Sequence, residues 1–228
     1  MVNSSDGLRP ADATRIVLRP LASPLPMGFL ALFVASLLVC ALQLRWVPVT
    51  QGHELALGVL AFAVPLQVIA CLYGFLCRDV VASTGMGVLA GTWATLGVIM
   101  LTSQPGMTSP GLGILLVVAA GALLVPTVAA LASKAMASMV LAAAAARFAI
   151  SGGYELTSSP GWRSAAGVCG VVVAGLALYA ALAAEVDSAT RRSVLPLLRP
   201  AAGKPVVSGQ LADQVATLPR EPGVRQQL

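Results

Sequence analysis

An all-α bundle of six membrane-spanning helices is the fold this sequence predicts, and three observations predict it. Of 228 residues, 57% are hydrophobic and only 10% charged, where a soluble domain carries about 25% charged residues. A soluble core could not hide that much apolar surface, so lipid must solvate most of it. The stretch Gly52 to Leu101 reads as two apolar runs joined by the polar link Cys77-Arg78-Asp79. An α-helix rises about 1.5 Å per residue, so each run can cross the roughly 30 Å hydrocarbon layer of a bilayer. Finally, six spans leave only Arg45, Arg147 and Arg163, of the 14 Lys and Arg, on the side opposite the termini. The bias of basic residues toward the inner side then predicts a multi-pass protein of the cell membrane with both termini cytoplasmic. A five- or seven-span count would spoil that asymmetry.

Taken in order, residues 1–22 read as a polar cytoplasmic tail. Its arginines, Arg9, Arg15 and Arg19, are not followed by an apolar run within it, so no cleavable leader is expected. Residues 23–198 form the six-helix transmembrane domain. Pro24 and Pro26 lead into span 1, Met27 to Val47, because a helix start does not need their missing N–H. Span 2 runs from His53 to Leu76 with Pro65 in its middle, which frees a carbonyl and bends the helix. Span 3, Val81 to Leu101, is rich in Ala, Ser and Gly, the composition of close helix contact or of a narrow permeation path. Span 4 runs from Gly111 to Leu131. Span 5, Ala135 to Ile150, is alanine-rich and weakly hydrophobic, suited to the bundle interior or a subunit contact. A loop from Ser151 to Arg163 precedes span 6, Ala165 to Val186. Residues 199–228 are polar with scattered Pro and Gly, the composition of a disordered cytoplasmic tail.

The sequence holds no nucleophile–base pair and no ligand cluster at useful spacing, so catalysis, a metal and a cofactor are not expected. Cys40, Cys71, Cys77 and Cys169 form no CxxC pair and read as small apolar filler. The net charge of +5 comes from tails and short loops, the pattern of membrane orientation rather than of nucleic-acid binding.

A few polar residues fall at membrane depth. Gln67 must find partners there, as interhelical glue or as a pore-lining donor to a carboxylate. Ser83 and Thr84 offer hydroxyls near the cytoplasmic end of span 3. Arg147 is placed near the outer end of span 5, where it snorkels to headgroups or faces an external vestibule and attracts anions. Trp93 is ordinary packing or pore lining. The His53-Glu54 pair reads as a solvated first helical turn, the alternative being a proton relay. With no cation expected mid-span, a protonated acid would cross more cheaply than its anion, and uptake should rise as external pH falls.

Several stretches together resemble the acetate uptake transporter family, the YaaH/SatP-like small-carboxylate permeases. Ser23-Pro24-Leu25-Pro26-Met27-Gly28-Phe29 takes the place of the family's NPAPLGL-like opening, with Pro24 and Pro26 kept and the glycine, Gly28, displaced by one. Gln67 matches the glutamine of the second helix, and Trp93 the tryptophan of the third. Leu89 and Leu32 replace two aromatics of the family's constriction. Tyr179 lies within span 6, and Arg192-Ser193-Val194-Leu195-Pro196 is similar to the family's Gly-Arg-Thr-Val-Leu-Pro ending. The resemblance implies six helices around a pore in each protomer and a homohexamer. It also implies uptake of acetate-like carboxylates with protons, along a path past Leu32, Gln67, Ser83, Thr84, Leu89 and Trp93. A conduit for another small solute such as ammonia, or a membrane scaffold that transports nothing, is the competing reading.

Overall fold

Pro24 precedes the first helix as its cap, and its carbonyl accepts from the Gly28 N–H at 3.1 Å, so the chain turns helical at once. The computed structural model describes residues 21–190 and 195–196. The expected tails, 1–22 and 199–228, fall outside these apart from Leu21 and Ala22. Six helices long and apolar enough to cross a membrane follow one another, and among the described residues there is no strand. They are α1 (Leu25–Gln43), α2 (Val49–Leu76), α3 (Val80–Thr102), α4 (Pro110–Leu131), α5 (Ala135–Thr157) and α6 (Pro160–Thr190).

The helices form a closed ring. Each packs on the next in sequence, and α6 packs extensively back on α1. Successive helices alternate in direction, and the polar contacts between links confirm it. At the end where α1 starts, called the terminal end here, Lys134 of the α4–α5 turn forms an ion pair with Asp79 of the α2–α3 link. Asp79 also caps α3, accepting from the Ala82 N–H at 3.1 Å. At the far end, His53 Nε2 lies 3.0 Å from the Ser103 carbonyl, tying the start of α2 to the end of α3. His53 is thus a bound, half-buried residue rather than a solvated one, while Glu54 beside it is exposed.

Glycines set the closest helix approaches. A Cβ on Gly74 of α2 would lie 2.6 Å from the Ser83 backbone nitrogen of α3. A Cβ on Gly152 of α5 would lie 2.8 Å from the Gly113 carbonyl oxygen of α4. No larger residue fits either crossing without moving a backbone.

Two departures from the sequence expectation matter for the interior. α2 is not a plain bent helix, because Val59–Ala63 form a π-helical turn just before Pro65. The wider turn accommodates the carbonyl that Pro65 cannot bond. And α5 does not end at Ile150 but continues to Thr157, so the expected loop shrinks to the turn before Pro160. Ser151, Gly152 and Gly153 read as helix breakers in sequence. They are helical because Gly152 packs on α4, and a Cβ on Gly153 would meet the Trp162 ring at 2.9 Å.

Candidate functional site

The far end of the ring opens into a cavity of about 130 Å³. Its polar lining includes Gln43 at the end of α1, Ser151, Tyr154 and Glu155 in the last turns of α5, and Arg163 in the first turn of α6. Glu155 holds this mouth in shape, as its Oε2 accepts from the Ser109 N–H at 2.7 Å at the start of α4. Deeper in, Gln43 Nε2 lies 3.5 Å from Ser151 Oγ, and Gln43 Oε1 has no partner. Val39, Leu96 and Leu116 line the cavity beyond, where it becomes apolar.

One turn below Ser151 lies Arg147, and here the expectation is corrected. Because α5 runs on to Thr157, Arg147 sits at the middle of the helix, about 18 Å from its start at ~1.5 Å per residue. It is 1% exposed, so it neither snorkels nor faces an external vestibule. A cation does lie mid-span, which removes the sequence argument for preferring the protonated acid. Arg147 Nη1 donates to Ser36 Oγ at 2.7 Å, and Nη2 donates to the Ser36 carbonyl at 3.2 Å. Cys40 Sγ lies 3.9 Å from Nη2. The guanidinium carbon stands 5.0 Å from the Trp93 ring centroid, and Trp93 meets Phe148 edge to face at 5.3 Å. Such a cation–π contact contributes about 0.5–2 kcal/mol. Nε has no partner, nor does the buried Trp93 Nε1.

About one helical turn closer to the terminal end, Leu32 of α1, Gln67 of α2 and Leu89 of α3 are each 0% exposed. Gln67 follows the π-helical turn, and both its amide Oε1 and Nε2 are without a partner. Each such buried, unpaired group costs about 1–3 kcal/mol. Gln67 is therefore not bonded as interhelical glue. Ser83 and Thr84 stand nearer the terminal end and apart from this level. Both hydroxyls donate to the Val80 carbonyl, at 3.0 and 2.7 Å. Ser83 is buried, but Thr84 is exposed beside an open depression that also touches Phe75, Arg78 and Asp79.

Of the motif residues, Pro24 caps α1, while Pro26 and Gly28 are buried in its first turn. A Cβ on Gly28 would lie 2.5 Å from Met86 Sδ of α3. The Tyr179 hydroxyl donates to the Pro196 carbonyl at 3.2 Å, so the segment with Leu195 and Pro196 folds back on α6. Arg192 lies outside the described residues.

Sequence reasoning missed Ser36, Gln43, Ser151 and Gly170. A signal existed for one of them: Ser151 stands four residues from Arg147, on the same helical face. The others reach the interior only through packing of α1 and α6, which no local pattern records.

Residues 6–198 match the model of the GPR1/FUN34/yaaH family. The fold is similar to that of a solved structure titled "Structure of the bacterial acetate channel SatP", with a TM-score of 0.69 and 19% sequence identity. The match covers 78% of this chain and 99% of that one. No curated protein sequence matches the chain.

Proposed function

This chain belongs to the GPR1/FUN34/yaaH family, and from that membership we propose that it conducts acetate or a related short monocarboxylate across the cell membrane. The observation that carries the reading is the interior of the closed ring: a polar mouth opens at the far end, and farther along the ring lie the buried Arg147 and the unpaired Gln67 amide. Polar groups left without partners at membrane depth mark solute paths more often than scaffolds. The acetate channel of the same fold supports acetate as the solute. Passage is channel-like, through weak successive sites from which a solute can leave. Proton-linked uptake is the alternative, and the pH profile described in the Discussion separates the two. Leu32, Leu89 and Trp93 narrow the path, and Ser83 and Thr84 lie toward its terminal end. The exposed apolar faces of α2, α4 and α6 meet lipid or neighbouring protomers, in line with assembly as a homohexamer.

Flux of labelled acetate into proteoliposomes tests the function. Acetate flux above protein-free vesicles supports the reading, ammonia flux alone replaces the solute, and no flux removes conduction. Gln67→Leu is expected to lower acetate flux about tenfold with expression and oligomer size unchanged, since losing a donor of about 1–3 kcal/mol at the barrier costs that much. Wild-type flux in this variant would assign Gln67 to the structure instead.

Both termini are proposed to be cytoplasmic, with Arg147 now within the membrane and only Arg45 and Arg163 outside. In a background lacking native cysteines, Gln104→Cys should be labelled from outside by an impermeant maleimide and Ser23→Cys should not. External labelling of Ser23→Cys would reverse the orientation.

A further inference from the structure

The interior of the ring holds a cation with no carboxylate against it among the described residues. Arg147 is bonded to a hydroxyl, a backbone carbonyl and a thiol, and lies over an indole ring, all neutral groups. The carboxylates lie elsewhere. Asp79 is held by Lys134, Glu155 accepts from Ser109, Glu54 is exposed at the start of α2, and Glu185 and Asp187 fall in the last turns of α6. A charge removed from water and left without a counter-charge is among the costliest arrangements a membrane interior can hold. Arginine cannot escape that cost by losing its proton. The chain nonetheless builds a seat for it from four helices: Ser36 and Cys40 of α1, Trp93 of α3, α5 itself, and Gly170 of α6. A Cβ on Gly170 would lie 2.7 Å from Arg147 Nε, so the missing side chain is what admits the guanidinium.

We infer that Arg147 is the recognition site for the ionised carboxylate, which supplies the missing counter-charge as the solute passes the middle of the ring. Nε and Nη2 share one edge of the guanidinium fork, the edge that takes a carboxylate with two parallel hydrogen bonds. On this edge Nε is unpartnered and Nη2 has Cys40 Sγ at 3.9 Å; Gly170 and Cys40 close the edge, so a carboxylate enters it when α1 and α6 part locally and takes the place of the weak thiol contact. Ser36 keeps the far nitrogen in place, and Trp93 and Phe148 present apolar surface to a short alkyl group. Trp93 Nε1 and the Gln67 amide are further unpartnered groups around this level. The class recognised is therefore a small planar carboxylate in its charged form. The inference rests on reading the ring as a solute path and specifies the form the solute takes there.

The test uses the full chain, purified, with sodium acetate and with sodium trifluoroacetate, a carboxylate that stays ionised at any working pH. In detergent, both salts are expected to raise the apparent Tm of the wild type by several degrees over equal sodium gluconate, whose anion is too large for the interior. Arg147→Leu should lose that shift, and Arg147→Lys should keep part of it. In proteoliposomes, trifluoroacetate should compete with acetate in the wild type, and Arg147→Leu should carry acetate at least tenfold more slowly. If Arg147→Leu does not fold, the competition and the lysine variant still decide. No Tm shift in the wild type, an equal shift in Arg147→Leu, or no competition by trifluoroacetate overturns the site. Unchanged acetate flux in Arg147→Leu overturns it while leaving conduction intact. An Arg147-dependent Tm shift in a protein that carries no acetate sustains the site and removes the conduction reading.

Discussion

Gly170→Ala is expected to destabilise the folded chain by about 1–3 kcal/mol, the range for forcing an extra methyl into a packed interior. The added Cβ would lie 2.2 Å from Cys40 Sγ, 2.7 Å from Arg147 Nε and 3.0 Å from its guanidinium carbon. Neither neighbour can yield freely. Cys40 is fully buried between α1 and α6, and Arg147 is pinned by two bonds to Ser36. The same substitution therefore acts on the fold and on the charged centre together. Adding Cys40→Ala to Gly170→Ala removes the tightest contact and leaves the one to Arg147, so stability should return in part. Thermal unfolding of the wild type, both single variants and the double variant isolates this coupling. Gly175→Ala supplies the contrast on the same helix, because no atom of a neighbouring helix lies within 4 Å of the position its Cβ would take. If Gly170→Ala unfolds with the wild type while Gly175→Ala does not, α6 does not clamp the arginine as described.

The helices were legible because lipid demands long apolar runs, and the links between them because charge and proline interrupt those runs. The sequence also placed Gln67 at membrane depth beside a proline distortion. What it could not give was the depth of Arg147. That depth depends on where α5 ends, and the Ser151-Gly152-Gly153 stretch carries the signature of a loop. Its helicity is decided by α4, where Gly113 leaves space for Gly152, more than thirty residues away along the chain. Once α5 is seven residues longer than expected, the arginine moves from a headgroup position to the centre of the ring. Its partners Ser36 and Cys40 are 111 and 107 residues distant, and neither belongs to a motif. Ser83 and Thr84 show a different limit of the sequence. As hydroxyls in a small-residue helix they resemble pore donors, yet each bonds back to its own helix, a local alternative open to any helical Ser or Thr.

Between pH 7 and pH 5, at fixed total acetate, leak-corrected flux through the wild type is expected to change by no more than about twofold. A small carboxylic acid titrates near pH 4–5, so over this window the anion remains the major form while the neutral acid rises roughly tenfold for each unit the pH falls. A path governed by the Arg147 cation follows the anion and is nearly flat. Without the cation, an anion at that depth faces the full desolvation cost and the acid becomes the cheaper passenger. Arg147→Leu should therefore carry little acetate at pH 7, and its residual flux should climb steeply toward pH 5, narrowing the gap to the wild type. Arg147→Lys keeps the charge but loses the two-pronged geometry, so its profile should stay flat at a lower rate. Protein-free vesicles measured at each pH give the leak to be subtracted, since the neutral acid also crosses lipid. A wild-type flux that rises about tenfold per unit would make the acid the carried species and proton-linked uptake the mechanism. Arg147 would then serve to hold α1, α3, α5 and α6 together, and the arginine variants should share the wild-type slope.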